Sequence, residues 1–448
     1  YLLNGIKMNT HTHYEVIGVG FGPSNIALAI TLEEEAPGTR CLFLEKAACS
    51  QCQAALLLAN SDVQNHPLRD LATPRNPRSH YSFTNYLFEK NRLFEHLNMG
   101  LYYPYRYEYR DYIKWAAEHF DSSVEYSTAV TDVVLLPDNN GSTLFQITTD
   151  TGKVLTCNNL VMATGRTPFI PTVLNAVAPH SLVHGAAFNS IIERIDTGEV
   201  RSVAVVGGSQ SAIEIMLYLT STFPKVTVHG VSRKFGYRLK DSSPFTGEVY
   251  FPSFVDVFYD SKAQHKQRLK DDLNLTNYSA SDADVLDELY RTLYRDKHFG
   301  HNKLSVHNCV DIVSAVMIDS TVSLELMTAH SDEAITSVEV DLVVSATGFR
   351  DMGPLEHQEM CPPLLNTLYA HMDKNELGEM QVGRDYRLAL VDCNNAGLYL
   401  NGLCESTHGM GDAGSLSLVS IRAKQIVESI QRLRAQAVSI APCLKEEA

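Results

Sequence analysis

Two short apolar runs, far apart in the chain, each end in a glycine turn and then give way to helical spacing. The first is Tyr14-Glu-Val-Ile, leading into Gly18-Val-Gly20-Phe-Gly22-Pro23-Ser24-Asn25. The second is Val203-Ala-Val-Val, leading into Gly207-Gly208-Ser209-Gln210-Ser211-Ala212. β-Branched runs of this length predict buried strands, and a strand, a glycine turn and a helix in succession form the local context that binds a pyrophosphate. Backbone N–H groups and the helix N-terminus face the phosphates, and glycine lets the main chain approach them. The pattern continues with a helix over 24–35 and a strand over 40–45 that closes on Glu45. An acidic residue about 20 residues beyond such a turn accepts hydrogen bonds from a ribose. In the second unit the corresponding strand is followed by Ser232-Arg233-Lys234, basic groups that suit a 2′-phosphate. Two such turns point to two dinucleotides, FAD and NADPH, in one protein.

The remaining apolar runs set the organisation. Residues 124–165 read as successive strands, with a turn at Asp138-Asn-Asn-Gly141, and close on Ala163-Thr164-Gly165-Arg166. The same ending returns in Asp341-Leu-Val-Val-Ser-Ala346-Thr347-Gly348-Phe349. One copy precedes the second glycine turn and the other follows it, so the second unit is expected as an insert in the first. The fold class is therefore α/β with two Rossmann-like domains. Residues 8–195 and 341–448 are assigned to the FAD-binding domain. Residues 196–340 are assigned to the NADPH-binding domain, with a charged helical substrate segment at about 250–300. Residues 49–115 read as irregular, then helical around Asp111–Phe120. A polar loop of that length is more often functional than idle.

Composition narrows the classes. A chain of 448 residues accommodates two or three domains, and its 44% hydrophobic and 20% charged content is that of a globular protein. A formal charge of −15 argues against a nucleic-acid surface. No apolar run approaches the roughly 20 residues of a membrane span. Tyr1–Lys7 precede Met8 and read as a remnant of recombinant expression; with no leader in view, a cytoplasmic protein is expected. Nine scattered cysteines are expected as reduced thiols. Cys49 and Cys52 lack the second ligand pair of a zinc site, so no metal is expected.

Five motifs in order resemble the flavin-dependent N-hydroxylating monooxygenases, the ornithine and lysine N-hydroxylases of siderophore biosynthesis. They are Gly20-Phe-Gly22-Pro23-Ser24-Asn25; the stretch Leu71-Ala-Thr-Pro-Arg75 through Tyr86-Leu87; Asp241-Ser-Ser-Pro244-Phe245 with Thr276-Asn277-Tyr278-Ser279; Ala346-Thr347-Gly348-Phe349 with Pro354; and Glu405-Ser-Thr407-His408-Gly409. The resemblance implies that NADPH reduces FAD, that O2 gives a C4a-hydroperoxyflavin, and that an uncharged primary amine takes the distal oxygen. It implies roles for Gln64 near the flavin, for Asn277 at the nicotinamide and the substrate, and for Ser417 over the substrate. The glycine-turn residues Gly18 to Pro23 and Gly207 to Ser211, with Glu45, Arg233, Thr347 and Gly348, are the expected cofactor contacts. A homo-oligomer, dimer or tetramer, is implied as well.

The chain departs from the pattern in places. The Trp-His of the family is absent from Cys49-Ser50-Gln51-Cys52-Gln53, and Ser209 stands where a motif glycine is usual. Arg69 replaces the lysine that holds the amino-acid carboxylate, and Gly247 replaces an asparagine. An extra residue lies in Gly409-Met-Gly411-Asp412-Ala-Gly414. On these grounds the expected substrate is histamine or a diamine, with L-ornithine as the alternative. A flavin disulfide reductase, with Cys49 and Cys52 as its redox pair, and a non-catalytic flavoprotein are the competing classes.

Overall fold

The computed structural model describes residues 12–50, 61–137, 143–328, 334–391, 393 and 395–440. Cys52 and the expected turn at 138–141 lie outside these. The first strands are β1 (Thr12–Val19), β2 (Cys41–Leu44), β3 (Val124–Glu125), β4 (Val130–Pro137), β5 (Thr143–Thr149) and β6 (Val154–Met162). Then come β7 (Leu182–His184), β8 (Ser202–Val206), β9 (Thr227–Ser232) and β10 (Leu304–Asn308). The last are β11 (Val310–Ile318), β12 (Thr321–Thr328), β13 (Ala334–Val340), β14 (Leu342–Ser345), β15 (Asp351–Met352), β16 (Gln358–Glu359) and β17 (Gly397–Leu400).

The first sheet has the order β3-β2-β1-β6-β5-β4, and β17 joins it on β6. β6 divides one edge between two partners. Its first half pairs antiparallel with β5, and Asn159–Met162 pair parallel with β17. The chain therefore returns after the insert to complete the first sheet, as expected from the repeated Ala-Thr-Gly ending.

The second sheet has the order β10-β9-β8-β14-β7 and is parallel throughout. Its β8 is buried over Val203–Val206 because both faces are covered. On one face lie the helices Gln210–Thr222 and Ala283–His298, through Ile213, Met216 and Leu289. On the other lies the antiparallel meander β11-β12-β13, whose Val322, Leu324 and Leu326 pack on Ala204, Val231 and Val343. β7 and β14 lie outside the expected limits of 196–340, yet both pair within this sheet. The second unit therefore extends further on both sides than the hydrophobic pattern indicated.

The two Ala-Thr-Gly endings lead into the crossings between the sheets, and the crossings pair with each other. Phe169 N donates to Gly348 O at 3.0 Å and Arg350 N to Thr167 O at 2.7 Å.

The stretch 49–115 is more regular than expected. It contains the helices Phe83–Glu89 and Leu93–Met99, and the helix expected near 111 begins at Arg106. Its 71–81 part serves as a staple. Arg75, with 1% of its side chain exposed, pairs with Glu34 at 2.5 Å and Glu35 at 2.6 Å. Ser79 and Tyr81 bind Glu34 and Glu33. These contacts hold the loop to the C-terminal end of the helix Pro23–Glu35.

Beside that helix lies the last one, Val419–Ile440. It carries Arg422, which is fully buried. The guanidinium donates to Asp412 Oδ1 at 2.5 Å, to Asn401 Oδ1 at 2.7 Å and to Ser24 Oγ at 3.0 Å. Asn401 in turn donates to Asn25 Oδ1 at 3.1 Å, and Asn25 donates to Gly20 O at 2.7 Å. The network ties the first glycine turn to the C-terminal segment. Arg422→Met leaves Asp412 buried without its cation, and such losses cost about 3–5 kcal/mol. Urea unfolding of the variant is expected to show a loss of that size; a loss under about 1 kcal/mol would show that the pair is not a clamp.

Candidate functional site

The two glycine turns are built alike. Gly20 N donates to Leu44 O at 2.8 Å and Gly207 N to Val231 O at 3.0 Å, so each turn leans on the end of the neighbouring strand. Both glycines have positive φ, 86° and 151°. A Cβ on Gly20 would fall 2.5 Å from Ala163 O, and one on Gly207 would collide with Ala346 O. A side chain is excluded at both positions.

The equivalence aligns the residues that follow. Gly22 and Ser209 are the N-caps of the helices Pro23–Glu35 and Gln210–Thr222, both in extended conformation and both without a side-chain cap. At φ −106° serine is unstrained, which accounts for Ser209 in place of glycine. Pro23 starts its helix at a position that needs no N–H. Around Gly22 nothing lies within 4 Å of a would-be Cβ, so the N-terminal amides are open to an anion. Gly18 is packed instead, against Phe43 and Asn25. Glu45, just beyond β2, accepts from Phe21 N at 2.7 Å and Ala47 N at 2.9 Å, which holds its carboxylate beside the turn. The register places Ser232 where the first unit has Glu45. The second turn thus lacks the acid that would repel a 2′-phosphate, and exposed Arg233 and Lys234 follow. A Cβ on Gly208 would sit 3.2 Å from Ser232 Oγ. Both cradles fit a dinucleotide.

Thr347 and Gly348 lie on the crossing. Thr347 Oγ1 donates to Phe169 O at 2.5 Å, and Gly348 O meets His184 Nε2 at 2.8 Å.

Gln64 bridges the two units. Its φ is 50°, a left-handed value that costs a non-glycine residue about 1–2 kcal/mol. Asp62 Oδ1 holds its N–H at 3.0 Å. Its side chain accepts from Lys240 Nζ at 2.8 Å and donates to Asp282 Oδ2 at 2.5 Å. Burial raises the carboxyl pKa of Asp62, and the nearby Asp282 raises it further.

Asn277 Nδ2 donates to Gly414 O at 3.2 Å. A Cβ on Gly414 would collide with Tyr278 and lie 2.6 Å from Asn277 Nδ2. One on Gly411 would lie 3.0 Å from Val249 O. In the stretch that carries the extra residue, Gly414 and Gly411 therefore press against Asn277, Tyr278 and the 249–250 backbone.

Next to Asn277, Tyr278 donates to Glu405 Oε2 at 2.5 Å, and Arg166 Nη1 reaches both at 3.1 Å. Burial pushes the Glu405 carboxyl up to about 7 against the pull of Arg166. This triad joins the crossing, the helical segment and the Glu405-Ser-Thr-His stretch; as a unit it was not apparent from the sequence, since its members lie more than 100 residues apart.

Arg69 and Ser417 meet the same loop. Ser417 Oγ donates to Asn65 Oδ1 at 3.3 Å, and Asn65 Nδ2 to Arg69 O at 2.6 Å. The half-buried Arg69 guanidinium lies 5.8 Å from the centre of the Tyr250 ring, and among the described residues no carboxylate pairs with it. Gly247, three residues before Tyr250, has open space where its side chain would be. Among the described residues no cluster of His, Cys, Asp or Glu could hold a metal ion, and no helix is long and apolar enough to cross a membrane.

Known proteins share this arrangement. The model of the L-lysine 6-monooxygenase/L-ornithine 5-monooxygenase family matches residues 12–351. L-Ornithine N(5)-monooxygenase of Pseudomonas aeruginosa is 33% identical over 428 residues, 93% of each chain. The reduced form of ornithine hydroxylase from that organism superposes with a TM-score of 0.86 at 31% identity, over 94% of this chain and 100% of that one. Kutzneria sp. 744 ornithine N-hydroxylase, solved with reduced FAD, NADP+ and L-ornithine, gives 0.86 at 32% identity with the same coverage. These relatives are named for ornithine, so they favour the ornithine alternative over the expectation of histamine or a diamine.

Arg233→Ala should lower the preference for NADPH over NADH about tenfold or more by removing a charge-assisted contact to the 2′-phosphate. Steady-state kcat/KM with both nucleotides measures this; an unchanged preference removes Arg233 from that role.

Proposed function

The chain belongs to the L-lysine 6-monooxygenase/L-ornithine 5-monooxygenase family, and on that footing we propose that it hydroxylates the side-chain amine of L-ornithine. It is an FAD- and NADPH-dependent N-hydroxylating monooxygenase. The reading places this step in siderophore biosynthesis. Membership of the family sets aside the disulfide-reductase and non-catalytic alternatives.

The bound flavin, reduced by the nicotinamide, supplies the oxygen chemistry. The chain supplies binding, orientation and exclusion of water. Gly20, Gly22 and Glu45 would hold the FAD pyrophosphate and ribose. Gly207 to Ser211 with Arg233 would hold NADPH. Gln64 and Asn277 are the polar side chains assigned to the reacting end. The part-buried Arg166 and Tyr278 and the buried Glu405 close the crossing beside Asn277, with Arg166 Nη1, the Tyr278 hydroxyl and Glu405 Oε2 hydrogen-bonded to one another. A primary amine reacts only when uncharged, and desolvation in such surroundings lowers its pKa in that direction.

Arg69 carries the choice of substrate. A half-buried guanidinium without an acidic partner among the described residues is suited to a carboxylate, which it can hold bidentately. The second ammonium of a diamine would be repelled there, and histamine offers no anion. Gly247 removes one hydrogen bond but leaves this charge in place. Gly411 and Gly414, in the stretch with the extra residue, serve close contact with the 249–250 backbone, Asn277 and Tyr278.

Product assays with L-ornithine, L-lysine, putrescine and histamine test the reading. L-Ornithine should show the highest kcat/KM. Arg69→Ala should reduce it about 10- to 150-fold, mainly through KM, as loss of a hydrogen-bonded charge pair requires. Arg69→Lys should retain most of it. A higher kcat/KM with putrescine or histamine would overturn the assignment.

A further inference from the structure

Gln64 is held by two residues of opposite charge, and both come from the second unit. Lys240 Nζ donates to its side-chain oxygen at 2.8 Å, and Asp282 Oδ2 accepts from its side-chain nitrogen at 2.5 Å. Reversing the amide would turn its NH2 toward the ammonium and its oxygen toward the carboxylate. The charges therefore fix which way the amide points.

The same two residues are anchored to the second glycine turn. The backbone of 238–240 runs beside that of 280–282, with Lys240 N on Ser281 O at 2.9 Å and Ser281 N on Arg238 O at 2.9 Å. Gln210, the first residue of the helix after that turn, grips the 280–282 segment at two points. Its N–H donates to Ala280 O at 3.2 Å, and its side-chain oxygen accepts from Asp282 N at 2.9 Å. Asp282 also stands directly before the helix Ala283–His298. Gln210 is thus joined to the 280–282 segment by two hydrogen bonds, one of them to Asp282, and Asp282 to Gln64 by one more. The backbone of Gln64 sits in a left-handed conformation, which persists only where the surroundings enforce it.

We propose that Lys240 and Asp282 are positioning residues that set the orientation of the Gln64 amide and link it, through Gln210, to occupancy of the second dinucleotide turn. The inference rests on the assignment of Gln64 to the flavin side of the reaction. Its consequence is a chain in which the arrival of NADP(H) at one turn is felt at the flavin of the other. Lys240 acts through Gln64, to whose side-chain oxygen its ammonium donates.

A double-mutant cycle tests this, since coupling between contacting residues is what such a cycle isolates. Lys240→Met, Asp282→Asn, Lys240→Arg, Gln64→Ala and the pair Lys240→Met/Gln64→Ala are prepared with FAD bound. Flavin content and circular dichroism serve as folding controls. Lys240→Met should lower the fraction of NADPH consumed that appears as hydroxylamine by about fivefold, within the range of typical coupling energies. It should also weaken the change that NADP+ titration produces in the flavin absorbance, while KM for the amine stays near the parent value. Asp282→Asn should act in the same direction, and Lys240→Arg should restore most of the loss. In the Gln64→Ala background, Lys240→Met should have no further effect. An equal effect in both backgrounds would overturn the link to Gln64, as would parental coupling in Lys240→Met with an impaired Gln64→Ala. Parental coupling in Gln64→Ala itself would instead overturn the assignment of Gln64. Should Asp282→Asn fail the folding controls, the cycle with Lys240 decides alone.

Discussion

Two glycines without room for a Cβ hold this structure in register. Gly20 presses on the carbonyl of Ala163 and Gly207 on that of Ala346, each with positive φ. The alanines directly follow β6 and β14, the strands from which the chain crosses between the two sheets. The same contact that shapes each turn therefore fixes where the crossing begins. Because the two crossings pair through Phe169, Gly348, Thr167 and Arg350, the turns are also fixed relative to one another. Two dinucleotide cradles that must cooperate are thus set by a pair of steric contacts and a short stretch of backbone pairing.

The return of the chain after the insert completes the arrangement. β17 takes the free half of the β6 edge, and the last helix brings Arg422 under the first turn. Between them, Asp412 accepts from both Arg422 and Cys404 N. That anchors the 404–414 segment, whose Glu405 and Gly414 meet Tyr278 and Asn277. The flavin turn and the candidate substrate residues are in this way supported by one buried network. A buried ion pair gives little net stability when compared with apolar packing, so its value here lies in fixing positions that separate elements must share.

Much of this was legible in the sequence where the signal is local. Glycine turns after β-branched runs, the paired Ala-Thr-Gly endings and the helical character of about 250–300 are short-range patterns, and each appears in the structure. What escaped depends on partners far along the chain. β7 is a three-residue strand that gains its identity only from pairing with β14, and the sheet to which β14 belongs is set by its pairing with β7 and β8. The 71–81 loop read as functional because it is polar; its Arg75 and Ser79 are spent on the carboxylates at the end of the preceding helix. Arg422 looks like any other basic residue of an amphipathic helix, and nothing nearby marks it as buried. At the substrate end, the changes to Arg69 and Gly247 were readable but their weight was not. The geometry shows a cation without an acidic partner among the described residues, kept in place, and glycines that serve close packing.

The central claim is that the two cradles act together, so that electrons from one nucleotide and oxygen activated at the other end in a hydroxylated amine. Turnover of the FAD-loaded protein with NADPH and L-ornithine under 18O2 in unlabelled water, followed by mass spectrometry of the product, tests it most directly. The account predicts an N-hydroxylated product in which the added oxygen carries the label. NADPH oxidation that yields only hydrogen peroxide, or a product whose oxygen comes from water, would contradict it.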